Sequence, residues 1–139
     1  MLPIADRVQD RENALAAVIA LDQFPRNMFR GTPRAFATDA KAREIADCAI
    51  ASGFDAALSK DQRTFLYLPY QHAEDAAAQA RGVELVASLE DAELTRWAVV
   101  HKDIIDRFEP GAKSIHGGPA RAACVSVCCR SRALATYGF

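Results

Sequence analysis

The chain has 139 residues, of which 50% are hydrophobic and 25% are charged, and its formal net charge is -1. This composition is typical of one soluble globular domain and excludes the strong charge bias of proteins that bind nucleic acids or anionic lipids. The longest unbroken apolar run, residues 14–21, is too short to span a bilayer. The sequence also lacks the pattern of a secretion signal, so we expect a cytoplasmic protein with reduced cysteines.

The first predicted helix covers residues 12–24, with Asp10 or Asn13 as its candidate cap, and changes from apolar to polar along its length. Its Ala- and Leu-rich half favours a helix over a short buried strand, and we expect this half to be buried on every side. Asp22 and Arg26 follow the apolar stripe at helical spacing. Pro25 removes a backbone donor and frees the carbonyl of Leu21, so the sequence predicts a kink or a helix end here.

Two further segments carry helix signals. Residues 39–52 repeat Ala and Ile at helical spacing, and Gly53 follows as a C-terminal stop. Ser59 and Gln62 match a capping box, which predicts that another helix begins there.

The helix that begins at the capping box repeats the design of the first one. It contains Pro69 and is predicted to continue as one helix through most of the following twenty residues. His72, Asp75 and Gln79 then fall on one face together with apolar residues. Gly82 lowers helix stability and marks an expected bend.

The last predicted helix covers residues 90–108 and places His101 in the middle of an apolar stripe. Beyond it no sustained helical period occurs, and residues 122–129 could form a strand but have no evident partner. We therefore predict a helical domain over residues 1–108 and an irregular or disordered tail over residues 109–139.

Two proline-centred motifs carry a family resemblance. They are LDQFPRNMFRGTPRAFATDAKAREIA at Leu21–Ala46 and FLYLPYQHAEDAAAQ at Phe65–Gln79, and the histidine helix ending in residues 101–108 follows them. Together they resemble the bacterial family known as domain of unknown function 924. The resemblance implies an all-α array of antiparallel helical hairpins similar to tetratricopeptide repeats. It implies no reaction, since the activity of the family is not established.

The chain departs from the family pattern at both ends. The family normally has further N-terminal helices with a Phe-Trp-Phe-like motif, whereas this chain begins just upstream of its first predicted helix. After Phe108 the family continues with an arginine-rich segment, whereas this tail is rich in Gly, Ala, Arg, Pro and Cys. We therefore expect a chain truncated at its N-terminus, with a tail from Glu109 that an out-of-frame or rearranged gene end would produce.

Polar residues beside the two prolines form the predicted site. Asp22 and Arg26 can form a structural ion pair or, with Arg30, bind an anion. His72 and Asp75 can satisfy polar groups between packed helices, or they can serve acid–base or metal chemistry. The complete predicted ligand-binding set is Asp22, Gln23, Arg26, Arg30, His72, Asp75, Gln79 and His101.

His101 has two interpretations, and so does the set of possible metal ligands. His101 is either a core histidine satisfied by one neighbour or a functional group that meets His72 across a helix interface. Two histidines and two carboxylates would suit a divalent cation, but no local spacing matches a recognised metal motif. The adjacent cysteines of the tail do not match a zinc site. We therefore predict neither a metal nor a cofactor.

The sequence is compatible with three functions. The first is binding of a small anionic ligand or a peptide in a polar pocket where the two kinked helices meet. The second is a hydrolase in which His72 or His101 acts as base and Asp75 or Asp22 orients it or binds a metal. The third is a non-functional truncated copy that exposes apolar helix surface and forms homodimers. We expect no nucleic-acid partner and no membrane partner.

Overall fold

The computed structural model describes residues 8–108, which form α-helices joined by turns and short 3₁₀ helices. No β-strand occurs within this described range, so the predicted all-α fold class is confirmed. The tetratricopeptide-like arrangement of hairpins stays a prediction. The α-helices are α1 (Arg11–Met28), α2 (Asp39–Ala51), α3 (Lys60–Gln71), α4 (Ala76–Ala87) and α5 (Ala92–Phe108), and the 3₁₀ helices are Pro33–Phe36 and Asp55–Ala57.

The chain divides into two compact units between Pro69 and Tyr70. In the first unit α1 packs against α2 and against the 3₁₀ helix Pro33–Phe36, and in the second unit α4 packs against α5. The predicted domain boundary after residue 108 stays a prediction, because the tail and its candidate strand lie outside the described residues. None of the described helices combines the length and the apolarity needed to cross a bilayer.

Helix α1 begins at a predicted cap and continues past its proline. Asp10 is the N-cap, and its side chain accepts a hydrogen bond from a first-turn backbone N–H at 2.7 Å. The helix does not end at Pro25, because the carbonyl of Leu21 accepts a hydrogen bond from Thr38 Oγ1 at 2.6 Å. A side chain at the start of α2 therefore satisfies the acceptor that the proline leaves without its usual partner.

Only one stripe of α1 is buried, so the prediction of burial on every side is wrong. Val18 is fully buried, whereas Ala16 and Ala20 are exposed. Phe24 is 52% exposed and Met28 is 70% exposed at the end of the same exposed face. An exposed alanine side chain leaves only a small apolar area in contact with water. An Ala-rich helix can therefore bury one stripe and expose the rest, even though the exposed residues are not polar.

The long helix predicted through Pro69 is two helices, α3 and α4, separated by residues 72–75. Asp75 has an extended backbone, and its side chain accepts a hydrogen bond from the backbone N of Ala78 at 2.7 Å. An N-cap residue has a non-helical backbone, so Asp75 begins a new helix instead of continuing the old one. The predicted capping box at Ser59 and Gln62 is confirmed, with reciprocal hydrogen bonds of 2.9 and 3.3 Å.

Gly82 is a close-packing position within α4, which runs through it without interruption, and the predicted bend stays a prediction. A Cβ atom at this position would lie 3.0 Å from Tyr70 Cβ and 3.6 Å from the backbone N of Gln71. The absent side chain therefore lets α4 approach the end of α3, which fixes the start of the turn that carries His72.

Candidate functional site

A buried ion-pair cluster joins α1 to α2 in the first unit. Asp22 is 1% exposed, and its Oδ1 lies 3.2 Å from Nη1 of Arg26. The two terminal nitrogens of Arg26 donate to both carboxylate oxygens of Asp39, at 2.8 and 2.9 Å. This bidentate geometry is the strong form of an arginine–carboxylate pair. Arg26 also donates to the backbone carbonyl of Asp22 at 2.8 Å, so one guanidinium bridges two carboxylates and one carbonyl.

Two neighbours complete this cluster. Gln23 Nε2 donates to Oδ2 of Asp22 at 2.6 Å, and the ring centroid of Phe36 lies 5.5 Å from Cζ of Arg26. Arg30, one turn further along α1, is exposed and donates to Oδ1 of Asn27 at 3.3 Å. The geometry of Arg26 is therefore that of a structural ion pair, while Arg30 keeps most of its donors towards solvent.

Asp39 and Thr38 are essential to this cluster, and the sequence reasoning did not place them in it. A signal was present, because the freed carbonyl of Leu21 required a donor and Thr-Asp is a typical sequence at the start of a helix. The signal did not identify which of the several helix starts would supply the donor. That choice depends on the packing of α2 against α1.

A glutamine clamp holds the turn between α3 and α4 in the second unit. Gln79 is 1% exposed, and its Nε2 donates to the backbone carbonyls of Gln71 and Ala73, both at 2.7 Å. These two carbonyls flank His72, which is 8% exposed. Gln79 therefore fixes the backbone on both sides of His72, because both amide hydrogens of its side chain are engaged there.

His101 of α5 is a buried imidazole without hydrogen-bond partners. It is 2% exposed, and neither Nδ1 nor Nε2 makes a hydrogen bond to any described residue. Burial and, to a smaller extent, repulsion from His72 lower its pKa from 6.5 to about 4, while an interaction with the backbone of Gln71 opposes part of this shift. His101 is therefore neutral at physiological pH.

The predicted site residues lie in two groups. The first unit contains Asp22, Gln23, Arg26 and Arg30, and the second contains His72, Asp75, Gln79 and His101. Within the second unit His72 is close enough to His101 to influence its pKa, whereas Asp75 is an exposed N-cap of α4. The single pocket that would combine both groups stays a prediction.

The chemistry available to these residues is hydrogen bonding and proton transfer. Within residues 8–108, no group of three or more His, Cys, Asp or Glu side chains is placed to hold a metal ion. A neutral imidazole offers one donor and one acceptor, and becomes a double donor when it is protonated.

The fold has a counterpart in a protein of unknown function from Agrobacterium tumefaciens, with a TM-score of 0.71 and 47% sequence identity. The likeness covers 76% of this chain and 59% of that chain, so this chain spans less than two thirds of its neighbour's length. Among curated proteins, none matches this sequence. The model of the family described as bacterial protein of unknown function (DUF924) matches residues 3–110. The chain therefore belongs to this bacterial family.

Proposed function

We propose that this protein binds a small anionic ligand at the His72–His101 pair of the second unit. The observation that carries the proposal is that neither ring nitrogen of His101 makes a hydrogen bond of normal geometry to a described residue, although His101 is 2% exposed and the backbone of Gln71 is near enough to affect its pKa. Buried polar atoms in folded proteins nearly always have a partner, and each exception requires an explanation. A bound ligand supplies that partner.

The electrostatics of the pair favour an anion. Burial and the neighbouring His72 both disfavour a positive charge on His101. A bound anion offsets both effects, because it attracts the protonated ring and accepts its hydrogen bonds. Binding is therefore expected to be accompanied by proton uptake, and the affinity for an anion rises as the pH falls below neutrality.

The glutamine clamp supports a binding role because it holds His72 in place before a ligand arrives. Gln79 ties the carbonyls on both sides of His72, and Gly82 lets α4 approach the same turn closely. A site held in one geometry loses less conformational entropy on binding. In this proposal Gln79 is a positioning residue, and a direct contact between its side chain and the ligand stays a prediction.

The arginines of the first unit contribute less to the proposal. Arg26 already binds Asp39 with both terminal nitrogens and lies 3.2 Å from the carboxylate of Asp22. Its removal is therefore expected to affect stability more than binding. Arg30 is exposed, and its predicted role in anion binding stays a prediction for the first unit alone.

Hydrolysis has less support than binding. A catalytic histidine is usually oriented by a carboxylate, and no described carboxylate makes a hydrogen bond to His101. A base with a pKa of about 4 also accepts a proton weakly at neutral pH. Asp75 caps α4 with its side chain, and this capping contact explains its position without an acid–base role.

The proposal is tested by nitrogen-15 NMR of the imidazole rings. The chain contains three histidines, so the signals of His72 and His101 can each be assigned by substitution. Titration with inorganic phosphate and, separately, with acetate is expected to shift the ring nitrogens of His72 and His101 with one saturation curve. The shifts should be larger at pH 6 than at pH 8.

A matched pair of variants controls for unfolding. His101→Phe should abolish the saturable shift of His72, whereas Val99→Ala, at a 39% exposed position of the same helix, should leave it unchanged. The thermal transition of each variant confirms that the fold is retained. Absence of saturable shifts for both anions at both pH values would contradict the proposal.

A further inference from the structure

A second unpartnered polar atom lies on the same helix as His101. The indole Nε1 of Trp97 is buried and makes no hydrogen bond to any described residue. Trp97 and His101 are four residues apart in α5, so they share one face of the helix, one turn apart. Three buried polar atoms without partners, the indole nitrogen and both imidazole nitrogens, therefore occur on one helical face.

An indole N–H is a donor only, and it usually finds an acceptor when it is buried. The ring of Trp97 is only partly buried, so the burial of its nitrogen reflects where that edge of the ring lies and not general inaccessibility of the residue. The donor is therefore shielded from water without a described acceptor in place. The indole N–H and the imidazole lie one helical turn apart, and a ligand with several oxygen atoms can accept a hydrogen bond from each of them.

Positive charge adjoins this face. The guanidinium carbon of Arg96 lies 5.3 Å from the ring centroid of Trp97, which is within the range of a cation–π contact. A cation over an indole makes its N–H a better donor, and it favours negative charge nearby. This arrangement selects for an acceptor that carries charge.

We infer that Trp97 donates its indole N–H to the same ligand that His101 binds, and that the ligand is a small oxyanion with at least two acceptor oxygens. This inference rests on the proposed function, since it assumes that an anion binds at the His72–His101 pair. It adds Trp97 to His72 and His101 as a third residue of the site, and it sets a requirement on the spacing of the oxygen atoms in the ligand. One oxygen accepts from the imidazole, and a second oxygen reaches one helical turn along α5 to the indole.

The test uses the single tryptophan of the chain, whose indole N–H gives one assignable proton–nitrogen cross-peak. We expect this cross-peak to move downfield on saturation with inorganic phosphate or with acetate, following the same curve as the His101 ring. The anion with the lower Kd shows whether the site prefers a phosphate or a carboxylate. A cross-peak that does not move at saturation would overturn the inference.

Trp97→Phe removes the N–H while keeping an aromatic ring. It should weaken anion binding about tenfold, as expected for the loss of one charge-assisted hydrogen bond, while the shifts of His72 and His101 still saturate at higher concentration. Val99→Ala is the control and should bind as the natural chain does. If Trp97→Phe binds within twofold of the natural chain, the inference is wrong but the proposed function stands. If the natural chain shows no histidine shift, the proposed function fails and the inference fails with it.

Discussion

Asp22 in the first unit and His101 in the second unit are both buried, but they differ in their hydrogen bonding. In the first unit both carboxylate oxygens of Asp22 have partners, and Arg26 bridges Asp22 to Asp39. In the second unit His101 is almost as buried as Asp22, yet neither of its ring nitrogens has a described partner. Two side chains of nearly equal burial therefore differ in their hydrogen bonding, since Asp22 has partners for both oxygens and His101 has none for its ring nitrogens among the described residues.

This difference separates a structural role for Asp22 and Arg26 from the binding role that we propose for His101. A satisfied buried network is a self-contained part of the fold, because it needs nothing from solution. An unsatisfied buried group lowers stability unless something else supplies its hydrogen bonds. Substitutions in the first unit should therefore affect unfolding, whereas substitutions around His101 should affect the response to protons and anions.

The largest expected effect comes from Arg26→Ala. It removes the guanidinium from two carboxylates, one of which is almost fully buried, and should lower the free energy of unfolding by about 3 kcal/mol. Urea denaturation at neutral pH measures this change. Arg30→Ala, which removes an exposed arginine from the same helix, is the control and should cost less than about 0.5 kcal/mol. Equal losses in the two variants would show that the cluster is not the structural element described here.

The second effect concerns acid sensitivity. The pKa of His101 is about 4 in the folded protein and 6.5 in an unperturbed histidine, so the unfolded chain binds the proton more readily between these values. The contribution of His101 to stability is therefore complete above about pH 6.5 and is lost as the pH falls towards 4. Between pH 7 and pH 5 we expect a loss of about 2 kcal/mol.

The variant His101→Phe isolates this contribution from the other titrating groups. Between pH 7 and pH 5 its free energy of unfolding should fall by about 2 kcal/mol less than that of the natural chain. Parallel pH profiles for the two proteins would mean that His101 is not a buried neutral base.

A smaller effect is expected from Thr38→Val. The substitution keeps the shape of the side chain and removes the 2.6 Å hydrogen bond to the carbonyl of Leu21, so unfolding should become easier by about 1.5 kcal/mol. Thr32→Val is the matched control, because Thr32 makes a similar bond to the carbonyl of Phe29 at an exposed position. A control loss as large as that of Thr38→Val would argue against a special role for the proline-freed carbonyl.

The smallest expected effect is that of Gly82→Ala, and its sign is informative. Alanine favours a helix by about 1 kcal/mol over glycine, but the new Cβ would lie 3.0 Å from Tyr70 Cβ. We expect a net loss of about 1 kcal/mol and altered ring shifts for His72. Ala77→Gly, at an exposed position of α4, measures the propensity term alone. A gain in stability for Gly82→Ala would show that α4 does not press on the end of α3.

Local signals predicted individual elements well. Asp10 and the Ser59–Gln62 box began helices where expected, because a cap is a contact between residues three positions apart. The continuous helix through Pro69 was wrong, because Asp75 can either cap a helix or lie within one, and its environment decided between them. The same ambiguity applies to Gly82, where the deciding contact is with Tyr70.

The burial of most candidate residues could be predicted from the sequence, but their hydrogen-bond partners could not. The sequence placed Asp22, Arg26, His72 and His101 next to apolar stripes, and all of them except Arg26 are classed as buried. It did not indicate that Asp39 would bind Arg26 or that Trp97 would have an unpartnered indole nitrogen. Those facts depend on which helix faces are in contact, and the amino-acid pattern of a single helix does not contain that information.

The amino-acid sequence by itself determined the all-α class, the helix starts at Asp10 and Ser59 and the positions where polar groups interrupt apolar stripes, because these depend on interactions within one or two helical turns. Only the tertiary structure decided which of those polar groups are satisfied. Arg26 gained Asp39 as a partner because α2 packs on α1, whereas His101 remained without a hydrogen bond to any described residue although it is buried. Hydrogen bonding between elements requires two surfaces to meet at a fixed distance, and that distance is a property of the packed molecule.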